Sequence, residues 1–290
     1  MLAGLSINRD RLEWLARFMA MHYTTQGSPS PAPVTDLSRE DIVRYAVVAH
    51  AIDYGLGSKR QRLHSIILEH ARSGGLTALE LSNIKREKLG DDIFRSAGIR
   101  VPDVDRRVML LRDIGIKVSR IYGGEFYRLV VESRGQLVYK GYGFLELAED
   151  FKAYRSPARS KPLRLAMELY SLGVLPSHDL WNADVVVDSS MLGLAIRSGV
   201  LELDGEMLER ISAGVPLDPR EDVVLRTTTA YAFRAASIEA GLDPFSATRV
   251  LRYIYERYCS PHEMAEECLA SERPLLRVRD PLPPAGAWWD

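Results

Sequence analysis

Cysteine is scarce: Cys259 and Cys268 are the two in 290 residues, with no CxxC and no neighbouring histidine pair. Zinc sites, iron–sulfur clusters and redox shuttling are thereby disfavoured, and the expectation is a pair of thiols in a helical stretch, kept in a reducing compartment. Long apolar runs are missing too. No window approaches the roughly 18 residues that a membrane span needs, and the opening MLAGLSINRDRLEW is broken by charge too early for a secretory signal. A cytoplasmic protein with no membrane partner is expected. Net charge is nearly absent, since 38 basic against 39 acidic side chains give −1. That balance lacks the broad positive field of a protein that binds mainly through DNA phosphates, although it is compatible with a local basic patch. Asparagine and glutamine occur three times each, and lysine seven times against 31 arginines; heat adaptation and high-GC coding both produce such a bias. GxxxxGK(S/T), GxGxxG and HExxH are also absent. Phosphate-loop, dinucleotide and zincin motifs are therefore excluded, Gly123-Gly124 reads as a turn, and the six histidines show no paired metal spacing.

What is present is enough apolar surface for a sizeable core: 46% hydrophobic and 27% charged residues suit one large domain or two small ones. Residues 24–36, TTQGSPSPAPVTD, predict an exposed loop after a first helix at about 8–22, so that 1–36 stands apart. Residues 37–280 form the main body, divisible into lobes of about 37–158 and 159–280, and PLPPAGAWWD at 281–290 predicts an extended tail. Within the body, apolar positions recur at helical spacing over about 39–52, 59–73, 77–88, 103–114, 143–153, 160–172 and 189–199. Further segments follow at 205–213, 220–240, 245–258 and 261–270. Only 126–142, FYRLVVESRGQLVYKGY, reads equally as a hairpin about Arg134-Gly135 or as a short helix and a loop. The expected fold class is an all-α globule of about ten to twelve helices with room for one small β-hairpin.

Chemistry concentrates in HDLWNADVVVDSSMLGLAIRSGVLE at 178–202, where the β-branched run Val185 to Val187 ends at Asp188 and a helix pattern follows. At that N-cap position a carboxylate accepts backbone N–H bonds, faces the positive helix end and stays ionised. Such an anion can stabilise the oxocarbenium-like transition state of glycosidic cleavage; an ordinary capping aspartate is the plain alternative. Upstream, Lys161 opens an amphipathic helix, where its charge works against the macrodipole. It is suited to meeting a phosphate or to attacking a sugar carbon as an amine, with a solvated surface lysine as the plain alternative.

A helix-opening lysine followed some 25–35 residues later by a capping aspartate resembles the helix–hairpin–helix superfamily of base-excision glycosylases. Ordered stretches along about 40–258 resemble one divergent branch, the queuosine salvage protein family, which hydrolyses queuosine 5′-phosphate to release queuine. DDIFRSAGIRVPDVDRRVMLLRDIGIKVSRIYGGEFYRLV at 91–130 resembles the family's "IF", "iP", "eRv..LrevG" and "gG.f". SKPLRLAMEL resembles "KRAQILVADL" at Lys161, and the nine-residue step from Asp179 to Asp188 resembles "DID.LT.FAD". SGVLELDGEMLERISAG and DVVLRTTTAYA continue the likeness. After Asp188, however, Ser189-Ser190-Met191-Leu192 stands where the family has "YRvPQ", and SPARSK lacks the glycines of the usual phosphate-gripping hairpin. An archaeal 8-oxoguanine glycosylase branch also lacks that hairpin.

The resemblance implies a helical glycosylase-like fold with Asp188 and Lys161 as catalytic residues. Trp181, Tyr54 and Phe151 are candidates to stack on a base, Asp53 to bond a ribose hydroxyl or base edge, and Arg226 to pair with Asp184, Asp188 or a phosphate; core aromatics, a polar residue at a helix C-terminus and a surface arginine are the plain alternatives. The expected activity is N-glycosidic hydrolysis of a modified nucleoside 5′-phosphate, with a nucleoside or nucleotide as the partner molecule and no metal or other cofactor. Two alternatives stand beside it: a DNA glycosylase and lyase in which Lys161 forms a Schiff base, and a non-catalytic nucleotide-binding protein.

Overall fold

The computed structural model describes residues 4–26, 36–260, 263–264, 268, 278 and 280–284. It is 65% helical, and β structure among the described residues is confined to two ladders of two-residue strands, as the all-α class requires. Contacts divide the described residues into a unit of 36–182 and a unit of 4–26 with 183–284. The first helix, α1 (Arg9–Gln26), thus belongs with the later residues.

In the unit of 36–182, α2 (Arg39–Ile52) occupies its predicted span. Ser38 Oγ accepts the Asp41 N–H at 3.1 Å, while Glu40 and Asp41 place negative charge in the first turn. Every residue from Ile42 to Ile52 is buried, so α2 is a central helix. Around it run α3 (Arg60–Arg72), α4 (Ala78–Ser82), α5 (Val104–Ile121), α6 (Tyr127–Glu132), α7 (Phe144–Glu149) and α8 (Ser160–Ser171). Of these, α3, α5, α6 and α8 pack on α2 directly. The predicted helix over 77–88 stops at Ser82, and a wider π-helical turn covers Lys88–Phe94. Short α4 presses on α5 at Gly115, where a Cβ would lie 2.3 Å from Ser82 N and 2.6 Å from Ala78 O.

Residues 126–142 adopt the helix-and-loop alternative. The Glu40 carboxylate on α2 accepts the N–H groups of Phe126 and Tyr127 at 3.0 and 2.7 Å, capping α6 from a distant part of the chain. Asp179 accepts the N–H groups of Leu137 and Val138 at 2.6 and 3.0 Å, which ties down the loop that follows.

In the unit of 4–26 and 183–284, α9 (Ser189–Arg197), α10 (Gly205–Ser212), α11 (Pro219–Glu239) and α12 (Pro244–Tyr258) each start at an aspartate N-cap. The four caps are Asp188, Asp204, Asp218 and Asp243. Helix α1 packs on α11 and α12. Strand β1 (Ser6–Ile7) pairs antiparallel with β2 (Leu201–Glu202), Ser6 opposite Glu202. Strand β3 (Cys259–Ser260) pairs with β4 (Glu263–Met264), and Cys259 forms a disulfide with Cys268.

This corrects two expectations. The helix predicted over 261–270 is replaced by strand at 263–264, whose backbone pairs with Cys259–Ser260. The two cysteines are paired rather than free thiols of a reducing compartment, because the hairpin brings their Cα atoms to 5.3 Å, within bonding range. Residues 281–284 are non-helical, as predicted. Most of the predicted loop at 24–36 and the tail beyond 284 lie outside the described residues. Among the described residues, no helix is long and apolar enough to cross a membrane.

Candidate functional site

In the unit containing α9, the buried run Val185–Val187 ends at Asp188, which has extended backbone and caps α9 as the sequence predicts. Its Oδ1 accepts the Met191 N–H at 3.1 Å, and its Oδ2 pairs with the Arg252 guanidinium on α12. Of the four aspartate caps it alone is buried. Beneath it Arg226 of α11 is fully buried and clamps the turn from both sides, donating to Val187 O at 3.1 Å and to Ser189 Oγ at 3.2 Å. Its Nε bonds Asp222 Oδ1 at 2.7 Å, and Asp222 is buried as completely. Arg226 therefore holds the backbone that presents Asp188, and its charge is compensated by Asp222 one helical turn earlier. Asp184 sits outside this clamp in a half-exposed pair with Arg234 at 3.2 Å.

Lys161 belongs to the other unit. Two non-glycine residues, Ala158 and Arg159, adopt left-handed backbone with φ of 49° and 52° just before α8, at a cost of about 1 kcal/mol each. These are conformations that glycine adopts freely, reached here without one. Arg159 anchors the turn through Glu146 at 2.9 Å and Glu149 at 3.2 Å. Lys161 then turns inward, 2% exposed, and donates from Nζ to Ala51 O at 3.1 Å. Its charge opposes the start of α8 but meets a carbonyl in the last turn of α2, where a cation is favoured. Burial pushes the amine down to about 7; the charge of Asp53 works against that shift, while Arg164, Arg107 and Arg60 add to it.

Tyr54, just beyond α2, lies with its ring centroid 5.2 Å from Lys161 Nζ and 3.8 Å from the Arg107 guanidinium carbon. Its hydroxyl donates to Asp103 Oδ2 at 2.6 Å, and Arg107 bonds Asp103 Oδ1 at 3.0 Å and Tyr54 O at 2.9 Å. A ring foreseen as a base-stacking platform is thus held in a cation–π contact inside the protein. A cavity of about 340 Å³ opens beside it, with Lys59, Arg100 and Arg107 among its walls.

Asp53, which caps the C-terminal end of α2, is wholly buried and gathers more partners than its sequence position indicates. Its Oδ2 lies 3.2 Å from His64 Nε2, 3.2 Å from Arg60 Nε and 3.6 Å from His50 Nδ1. Behind the histidines stands Glu168 of α8, with Oε2 2.5 Å from His50 Nε2 and Oε1 accepting the Tyr45 hydroxyl at 2.9 Å. The Tyr45 hydroxyl also meets His64 Nδ1 at 3.0 Å. Burial alone would raise Asp53, but the neighbouring His50, His64 and Arg60 hold it well below the usual carboxylate range. Glu168 is likewise held down to about 2 against its own burial, chiefly by His50. His50, which burial would depress, is instead raised by Glu168 and Asp53.

Of the residues singled out from the sequence, Lys161, Asp53 and Tyr54 come together in one unit. Asp188 and Arg226 come together in the other. Trp181 is half-exposed in a short 3-10 turn, Leu180–Asn182. The sequence reading missed His50, His64, Glu168, Tyr45, Asp103, Arg107, Asp222 and Arg252. Two signals were available: Asp103/Arg107 and Asp222/Arg226 are acid–base pairs at i,i+4, and His50/Asp53 is an i,i+3 pair on one helix face. Against known proteins, no family model matches the chain and no curated protein matches it.

Proposed function

We propose that this protein is an N-glycosidase acting on a modified nucleoside 5′-phosphate, with Asp188 stabilising positive charge at C1′ and activating water. The observation that carries this reading is the construction around Asp188: a carboxylate at the end of a buried run, held by the Met191 N–H and Arg252, on backbone clamped by Arg226. A pre-oriented anion costs little reorganisation as the glycosidic bond breaks. Arg252, with a third of its side chain exposed, is suited to release one carboxylate oxygen and meet a phosphate. The test is incubation with a panel of modified nucleoside 5′-phosphates and mass spectrometry of the released base. Asp188→Asn should abolish release while the far-ultraviolet circular dichroism stays unchanged. Turnover retained in that variant would remove Asp188 from the chemistry.

One observation favours the DNA glycosylase and lyase as second reading: the buried Lys161 amine, pushed down to about 7, is substantially unprotonated at neutral pH and so nucleophilic. In that reaction the amine adds to the C1′ aldehyde of an abasic sugar, water leaves, and the imine is trapped by borohydride. A trapped adduct lost in Lys161→Ala supports DNA; base release from nucleotides without an adduct supports the first reading.

A further inference from the structure

We propose that His50 Nδ1, the Asp53 carboxylate and His64 Nε2 bind a divalent transition-metal ion of the zinc, cobalt or iron class. The hydrogen-bond directions in the cluster lead there. The Tyr45 hydroxyl donates to Glu168 Oε1, which as a carboxylate only accepts, so its oxygen accepts from His64 Nδ1 and fixes a proton on that nitrogen. His50 donates from Nε2 to Glu168 Oε2 in the same way. Each imidazole therefore turns its second nitrogen toward Asp53, whose Oδ2 the Arg60 guanidinium also faces at 3.2 Å, so the pocket is built around positive charge beside this carboxylate. Protein contacts satisfy this cluster only in part: His64 Nε2 meets Asp53 Oδ2 at 3.2 Å, and the remaining groups are left over. His50 Nδ1, at 3.6 Å, lies beyond hydrogen-bond reach of Asp53, and His50 Nδ1 and Asp53 Oδ1 are both buried without a hydrogen-bond partner.

A single ion satisfies all three groups. The donor atoms lie within 4.8 Å of one another, so shifts of under about an ångström bring each to the roughly 2.0–2.2 Å of imidazole and carboxylate bonds. Two imidazoles and one carboxylate select zinc-like metals over calcium or magnesium. The outer shell is already built, since metal-binding histidines characteristically give their other nitrogen to a carboxylate or similar acceptor, as His50 does to Glu168 and His64 to Tyr45. Access is present as well. A surface cleft of about 350 Å³, lined by Tyr45, Gly57, Ser58, Arg60, Gln61 and His64, reaches the third ligand. Arg60, beside Asp53 Oδ2 with a third of its side chain exposed, can withdraw into that cleft when a metal takes its place.

The site is independent of Asp188 and of the glycosidase reading. Its test uses the full chain, freed of tags, treated with a chelator and titrated with cobalt(II) chloride at pH 7.5. One equivalent should bind with visible d–d absorption and raise the melting temperature by several degrees. His64→Gln should weaken uptake at least 100-fold. Tyr45→Phe, which removes only an outer-shell hydroxyl, should weaken it about 10-fold. The proposal is overturned if the folded wild-type chain takes up neither cobalt nor zinc at millimolar concentration, or if His64→Gln binds as tightly as wild type. Nitrogen-15 histidine spectra give a readout that needs no variant: ring-nitrogen shifts of His50 and His64 that move on adding zinc support the site, and imidazolium shifts that do not respond overturn it.

Discussion

Replacing Lys161 by methionine keeps an unbranched apolar stem, one atom shorter, and removes the charge, and the expected consequence changes sign with pH. The amine lies at about 7 in the folded protein against an ordinary value of 10.5. Between those limits the folded state binds fewer protons at this nitrogen than the unfolded state, so its contribution to stability rises with pH through that window. Below pH 7 the full cost of burying the ammonium is present: a difference of about 3.5 pK units at about 1.36 kcal/mol each is about 5 kcal/mol. Above pH 10.5 that cost is gone. Against it stands the bond to Ala51 O, worth about 1.5–3 kcal/mol when the donor is charged and about 1 kcal/mol when neutral. Lys161→Met should therefore be more stable than wild type by about 2–3 kcal/mol at pH 6. It should be level or slightly less stable at pH 10. Urea unfolding followed by circular dichroism at pH 6, 7, 8, 9 and 10 measures the difference, and subtracting wild type from variant cancels the other titrating groups. A difference that stays constant across pH would refute a depressed amine, and a variant destabilised at pH 6 would show that the ammonium is stabilised where it sits.

Two further outcomes test the packing and the covalent chemistry. Gly115→Ala places a methyl 2.3 Å from Ser82 N and 2.6 Å from Ala78 O, and because backbone cannot yield as a side chain does, α4 and α5 should separate at a cost of about 2–3 kcal/mol; a thermal melt within a degree of wild type would contradict this. Under native, non-reducing conditions a thiol reagent should find no free cysteine, and reducing the nine-residue link between Cys259 and Cys268 should cost about 2–3 kcal/mol. Two titratable thiols in the untreated protein would show that the pair is open.

Local signals located the elements they control. Ser38 with Glu40 and Asp41 set the start of α2, and the capping position of Asp188 was legible because a β-branched run cannot continue into a helix without a polar residue to satisfy its first N–H groups. Residues 126–142 were ambiguous for the opposite reason. YRLVVE has no strong helical preference of its own, and α6 is secured by a carboxylate 86 residues away, Glu40. The cysteines were misread because nine helical residues hold two thiols apart, whereas the hairpin at Cys259–Met264 brings them together. Lys161 looked electrostatically misplaced at the head of α8 because its partner, the Ala51 carbonyl, is 110 residues earlier.

Sequence alone determined that the chain folds as helices, where most of them begin, and that a carboxylate caps α9 at Asp188, since periodicity and capping act within a few residues. Tertiary structure decided what those helices hold: the amine of Lys161 in a buried site, and His50, Asp53 and His64 gathered around one point with Glu168 behind them. Side chains that far apart along the chain meet only when helices pack, and burial changes their protonation only once water has been excluded.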